Sequence, residues 1–241
     1  MAKDVITIKE AAEMLGVSMQ TLRRWDESGK LIAIRPGKGT HRLYRTEDIT
    51  LLTTDLFSLA KMWIFSDAPK EPDSRYYCSN SGIFQFRLHA MESELLKLPA
   101  FEHIFSFISS TAGEIGNNSF DHNLGSWPDI PGNFFGYDLG KRMVIIADRG
   151  QGILHTLRRV RPNIPDDTEA LKVSFTEVLT GRAPEHRGNG LKYVRKIITS
   201  NPMNLVFQTG DAKLTLQQGD TSLNIEKTKD SFHGCLALIR F

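Results

Sequence analysis

The spacing of apolar positions changes several times along this chain, and each change marks an element. From Ile8 to Leu15 they recur at helical spacing, and Gly16-Val17-Ser18 reads as a turn. Ser18 suits the cap of a second helix ending at Ser28, with Gly29 as its stop. Leu22 and Trp25 then face inward, while Gln20, Arg23, Arg24 and Glu27 face out. Thr46 to Ser66 predicts a longer helix with a Thr cap, early acids and an apolar stripe ending Met62-Trp63-Ile64-Phe65. SDAPKEPDS, Ser66 to Ser74, has linker composition and predicts a domain boundary. Further on, SGIFQFRL (Ser81 to Leu88) and KRMVIIAD (Lys141 to Asp148) are expected as strands, the second nearly all apolar and so central. Phe101 to Phe120 and Gly188 to Ser200 read as helices, and the tail from Asn204 as three or four strands. The order predicts an α+β fold whose sheet is covered by helices on one side.

Composition adds little: 40% hydrophobic and 24% charged residues in 241 are ordinary for a globular protein. The formal net charge of +2 is too small to imply a nucleic-acid partner by itself. Cys78 and Cys235 form no CxxC and suggest inert thiols in a reducing compartment. The start lacks the apolar core of a signal peptide, and no run approaches the ~20 apolar residues of a membrane span. The expectation is a cytoplasmic protein with no membrane partner.

The charge is unevenly placed. Between Gln20 and Arg45 seven Lys and Arg face only Asp26 and Glu27, a local excess of +5. Two short helices joined by a tight turn, the second with a basic outer face, form a helix-turn-helix pattern. IAIRPGKGTHRLY places a Gly-rich turn between two short strands and studs it with Arg35, Lys38, His41 and Arg42, as a wing reaching phosphates would be. The alternative is a charged, solvated helical hairpin. The segment from Ile6 to Ile49 resembles the winged DNA-binding domain of mercury-resistance-type (MerR) regulators and excisionases. That resemblance implies double-stranded DNA as partner, with Thr21, Arg23 and Arg24 at the major groove and Arg42 and Tyr44 at the wing. Gln20, Arg35 and Lys38 complete the expected DNA-facing set. One such module reads a half-site, so a homodimer is expected. The long dimerisation helix of the MerR-type regulators does not follow.

In EIGNNSFDHN, Glu114, Asn118 and Asp121 fall on one helical stripe beside an apolar one. A helix edge with capping residues would look the same. Two later segments bear on the choice. ADRGQGI puts Asp148 at the end of an apolar strand, followed by Gly150 and Gly152, and RGNGLKYV puts Gly188 and Gly190 before a helix. Backbone amides at a glycine-rich helix start bind phosphate. The ordered set E-x-x-x-N, D-x-G-x-G, G-x-G-L resembles the GHKL ATP-binding superfamily over roughly residues 80 to 241. SFHGCLALIRF is similar to that family's last strand.

The resemblance implies a two-layer α/β sandwich with a mixed, largely antiparallel sheet, and ATP and Mg²⁺ as cofactors. Asn118 would ligate the metal, and Glu114 would be the catalytic base. Asp148 would read adenine, and Gly150 and Gly152 would let the base approach. Gly188, Gly190 and Leu191 would form the phosphate-side turn. Ile153 to Arg187 would be a mobile lid, with Arg182 and Arg187 as candidate phosphate contacts. No role is assigned to Asp121 or His122.

The expected organisation is a DNA-binding domain at 1–49, a connecting helix and linker at 50–75, and an ATP-binding domain at 76–241. The function expected is ATP-tuned DNA binding in transcriptional control. The alternative is a serine/threonine kinase, similar to anti-sigma-factor kinases, acting on a STAS-like protein with the winged domain as tether. A third reading is an architectural protein whose nucleotide fold only binds or dimerises.

Overall fold

The computed structural model describes residues 4–29, 31–35, 37, 41–46, 48–49, 55–177 and 190–241. The chain divides into two compact units, Met1–Leu59 and Ala60–Phe241.

In the first unit, β1 (Val5–Thr7) leads into α1 (Ile8–Leu15) through a capping box. Glu10 N donates to Thr7 Oγ1 at 3.3 Å, and Thr7 N donates to Glu10 Oε2 at 2.7 Å. Gly16, at φ 63°, closes the helix in the left-handed conformation that glycine adopts without penalty. Ser18 then caps α2 (Met19–Glu27), accepting from Thr21 N at 3.1 Å. β2 (Leu43–Arg45) pairs antiparallel with β1, and Ile34 bridges to Leu43. Ala11, Leu22, Leu31, Tyr44 and Ile49 form the core, with Trp25 against its edge.

The expected single helix from Thr46 to Ser66 restarts at Asp55, whose carboxylate caps α3 (Leu56–Ile64) by accepting from Ser58 N at 3.0 Å. The end of α3 belongs to the second unit. Trp63 and Ile64 are buried, with the Trp63 ring against Phe134 and its indole N–H donating to Lys70 O at 3.0 Å. The segment read as a linker is thus fastened down: Arg87 donates to the carbonyls of Ser74 and Arg75.

The second unit is built on seven strands: β3 (Tyr77–Cys78), β4 (Asn133–Asp138), β5 (Met143–Asp148), β6 (Asn204–Thr209), β7 (Ala212–Gln217), β8 (Asn224–Lys227) and β9 (Cys235–Arg240). Their order in the sheet is β3-β4-β5-β9-β6-β7-β8. Every pairing is antiparallel, so the mixed sheet that was expected is antiparallel throughout its described strands. β5 is buried on both faces: Val144 and Ile146 enter the main core, and Ile145 and Ala147 are buried on the other side.

Ser81–Leu88 is not a strand but the first half of α4 (Ser81–Leu95), capped by Asn80, which accepts from Ile83 N at 3.0 Å. The short window hid the period. Phe84, Leu88, Met91 and Leu95 repeat at helical spacing and are buried, whereas Phe86 is 75% exposed. A 3₁₀ turn (Pro99–Phe101) leads into α5 (Phe105–Asn123), and α6 (Gly152–Arg158), α7 (Asp167–Thr176) and α8 (Gly190–Ser200) follow.

The described part of the expected lid is packed structure. Leu157, Ile164, Ala170 and Val173 make their own cluster, and Leu171 and Phe175 join the main core. The rest of it, including Arg182 and Arg187, lies outside the described residues, as does Gly188 of the expected phosphate-side turn.

α4 and α5 meet where Gly116 faces the Phe84 ring, and a Cβ at 116 would overlap that ring. Phe84 is fully buried against Phe135 as well, so it has nowhere to retreat. Gly116→Ala should therefore destabilise the second unit by about 1–3 kcal/mol, read as a lower midpoint in denaturant unfolding. An unchanged midpoint would remove this contact from the account.

Candidate nucleotide site and DNA-binding face

Three elements of the second unit bring the expected site residues to two places. At the first, mid-α5 meets the start of α8. A Cβ built on Gly190 would stand 2.6 Å from Glu114 Oε2 and 3.6 Å from Asn118 Nδ2. The Glu114 carboxylate, the Asn118 amide and the first turn of α8 therefore converge, as sites holding phosphate oxygens and Mg²⁺ require. Glu114 and Gly190 also line a cleft of about 720 Å³, whose walls include His89, Glu92, Ser110 and Tyr193. Leu191 turns toward the core and is partly buried. Asp121, on the same stripe, is exposed. His122 is pushed below its usual pKa by burial and by the Arg159 charge.

At the second place, the end of β5 meets the C-terminal part of α5. Asp148 ends β5, opposite Asn133 on β4 and Cys235 on β9. The residue is only 4% exposed, and its carboxylate accepts from Ser119 Oγ at 2.9 Å and Gly150 N at 2.9 Å. Burial raises its pKa to about 6, against the pull of the Gly150 N–H and the Ser119 hydroxyl. Residues directly opposite in a sheet present side chains to the same face. Asn133 therefore shares the side of the sheet that Asp148 offers to α5, and its Oδ1 is buried with no hydrogen-bond partner among the described residues. A buried carboxylate beside an unpartnered amide oxygen is an acceptor set suited to an exocyclic amine.

The glycines after Asp148 have a different reason from the expected one. A Cβ at Gly150 would overlap the Asn123 side chain, so that space is already filled by the protein and is not left for a base. Asn123 is buried there, accepting from Gln151 N at 2.8 Å and donating to Ser119 O at 2.8 Å. Gly152 has φ 76° and sits against Thr209, whose hydroxyl donates to Gly234 O at 2.8 Å. Ser119, Asn123 and Asn133 were missed from sequence. Ser119 and Asn123, four apart on α5, formed a second polar stripe that could have been read; Asn133 became visible only through strand register.

In the first unit, Arg23, Arg24 and Gln20 are exposed on the outer face of α2, with Thr21 half-buried beside the Ser18 cap. Arg35 and Arg42 both reach Asp26, whose side chain is 4% exposed and also accepts from Ala33 N at 2.9 Å. Burial opposes ionisation of Asp26, but the Ala33 N–H, Arg42 and Arg35 together hold it below the usual carboxylate range. These two cations thus fix the wing strand to α2 while keeping part of their surface open. Tyr44 is not a DNA contact: it is fully buried, and its hydroxyl donates to Leu22 O at 3.3 Å. Its apparent place on the wing was an inward position of β2. Lys38 lies outside the described residues.

The two glycine positions separate by experiment. Gly150→Ala must displace a buried, doubly bonded Asn123 and should cost about 1–3 kcal/mol. Gly190→Ala meets only the swinging end of Glu114, and should leave stability unchanged or raised by about 0.5–1 kcal/mol. Equal melting temperatures for the two variants would contradict this assignment.

Comparison with known proteins finds similarity over parts of the chain. Residues 7–44 match the family described as MerR family regulatory protein. The Type II methyltransferase M.Eco47II of Escherichia coli is 36% identical over 63 residues, covering 26% of this chain and 15% of that protein. The transcriptional repressor DcmR of Methylorubrum extorquens (strain DSM 6343 / CIP 106787 / DM4) is 45% identical over 47 residues, 20% of this chain and 18% of that one. The chain thus spans less than a fifth of the length of either relative. Among solved structures, the crystal structure of the 43K ATPase domain of Thermus thermophilus gyrase B in complex with an aminocoumarin aligns at a TM-score of 0.35 and 14% identity. That alignment covers 64% of this chain and 40% of the gyrase chain. No described helix is long and apolar enough to cross a membrane. The N-terminal module of this protein is a MerR-type helix-turn-helix.

Proposed function

We propose that this protein binds double-stranded DNA through its MerR-type module and that ATP, bound in the second unit, tunes that binding. The observation carrying the ATP half is the meeting of Glu114, Asn118 and the start of α8 at Gly190, with Asp148 and Asn133 as a separate amine-accepting pair. One place suits phosphates and metal; the other suits adenine.

Mg²⁺, when bound, neutralises phosphate charge and fixes the phosphate geometry. Asn118 would hold that ion through its side-chain oxygen, and the start of α8 at Gly190 would offer backbone N–H groups and the positive end of the helix dipole to the phosphates. Glu114 Oε2, against Gly190, would take a proton from the water attacking the γ-phosphate, with ADP as the leaving group. Asp148, ionised, accepts the exocyclic amine of adenine. Transcriptional control is the role proposed for the DNA binding. A homodimer would present two half-site modules.

The cleft beside Glu114 favours a second reading. Its 720 Å³ would admit a peptide hydroxyl between His89, Ser110 and Tyr193, so that a partner protein, STAS-like in the resemblance, receives the phosphate in place of water. The fate of the γ-phosphate distinguishes the two readings.

Glu114→Ala should retain ATP while turnover falls about 10²–10⁴-fold. Held in that ATP-bound state, the protein should bind DNA from upstream of its own gene with a different affinity than without nucleotide. Equal DNA affinity in every nucleotide state would overturn ATP control and leave the kinase reading in front.

The Asp148 carboxyl also sets a pH dependence. Protonation near its pKa of about 6 converts the acceptor into a donor. ATP affinity should then fall between about pH 7.5 and pH 5, by up to about tenfold per unit below the pKa. Asp148→Asn should lose that component of the slope. Parallel pH profiles for wild type and variant would exclude Asp148 as the adenine acceptor.

A further inference from the structure

Between Asp148 and Gly150 stands Arg149, a residue that neither the adenine nor the phosphate assignment uses. Its guanidinium is 5% exposed, and all of its nitrogens are engaged. Nε and Nη2 donate to Asp129 Oδ2 at 2.9 and 2.8 Å, and Nη2 lies 3.3 Å from His233 Nε2. Nη1 donates to the carbonyls of Trp63 and Ile64 at 2.8 and 2.7 Å. Those are the last two residues of α3, so Arg149 caps that helix, satisfying orphan carbonyls and meeting the negative end of its dipole.

The same short loop serves the adenine side. Gly150 N donates to Asp148 Oδ1, and the carbonyls of Arg149 and Gly150 both lie within 3.2 Å of His233 Nδ1. Moving the peptide between 149 and 150 therefore disturbs the Asp148 carboxylate and the α3 cap together. The division between the two compact units falls inside α3, between Leu59 and Ala60. Its first turn belongs to the DNA-binding unit, and its last turn is held by Arg149.

We propose that Arg149 is the positioning residue that couples occupancy of the Asp148 site to the end of α3, and through that helix to DNA binding. The proposal rests on the ATP-responsive reading above. An amine arriving at Asp148 competes with the Gly150 N–H for the carboxylate, the 149–150 peptide turns, and the guanidinium shifts against the Trp63 and Ile64 carbonyls. A purely structural Arg149 would hold the fold together without transmitting this change.

The test compares DNA affinity with and without Mg-ATP in wild type, Arg149→Gln and Asp129→Asn, alongside ATP affinity and hydrogen exchange of residues 60–66. Wild type should show an ATP-dependent change of about 5–150-fold, the usual range of coupling between two sites. In Arg149→Gln the ratio should collapse toward unity, while DNA affinity without nucleotide and ATP affinity each stay within about twofold. ATP should alter exchange at 60–66 in wild type and not in the variant. If wild type shows no ATP effect on DNA, the functional reading itself fails. If wild type responds and folded Arg149→Gln responds equally, the reading stands and this coupling is wrong. Should Arg149→Gln not fold, Asp129→Asn decides, because it loosens the same guanidinium from a partly exposed position. A full ATP response in Asp129→Asn, with unchanged exchange at 60–66, overturns the proposal.

Discussion

Close approach along α5 is the constraint on which the second unit depends. Gly116 admits the Phe84 ring, and Gly113 leaves room for Leu88, so these α4 side chains pack directly on the α5 backbone at those points. Ile108, Ala112 and Ile115 then reach the main core, and the helix is held at a fixed height over the sheet. Its polar groups are useful only at that height. Ser119 meets the Asp148 carboxylate, Asn123 fills the space beside Gly150, and Glu114 meets the first turn of α8. A side chain at 116 would lift the helix and separate these groups together.

The antiparallel order of the sheet supplies the other half. β5 is central and buried on both faces, so its last residue is carried into the interior, and Asp148 is desolvated enough to titrate near 6. A carboxylate there is costly unless its charge has partners. The Ser119 hydroxyl and Gly150 N–H supply part of that compensation. The buried Asn133 oxygen beside it is a second acceptor in the same position.

Much of this was legible in the sequence where a local signal was strong. Ser18 and Gly16 marked the helix-turn-helix through caps that the structure contains, and the apolar run before Asp148 placed a central strand correctly. Failures came where tertiary context outweighed a short window. Ser81–Leu88 alternates well enough to pass for a strand, and only the repeat continuing to Leu95 reveals the helix. Tyr44 was expected at the wing from the resemblance to MerR-type regulators, yet strand parity turns it inward. Gly150 was read as space for a ligand when the space belongs to Asn123, a residue 27 positions earlier that no linear motif connects to it. Arg149 was invisible for a similar reason: its partners at 63, 64, 129 and 233 meet only in the folded sheet.

The central claim is that a metal-bound nucleotide lies between mid-α5 and the start of α8. Paramagnetic broadening with Mn²⁺-ATP in place of Mg²⁺-ATP, read on the amide resonances of the whole chain, tests it most directly. The account predicts that signals of Glu114, Asn118, Gly190 and Leu191 broaden first, before those of β8 (Asn224–Lys227) at one edge of the sheet. Broadening centred elsewhere, or none at saturating nucleotide, would contradict it.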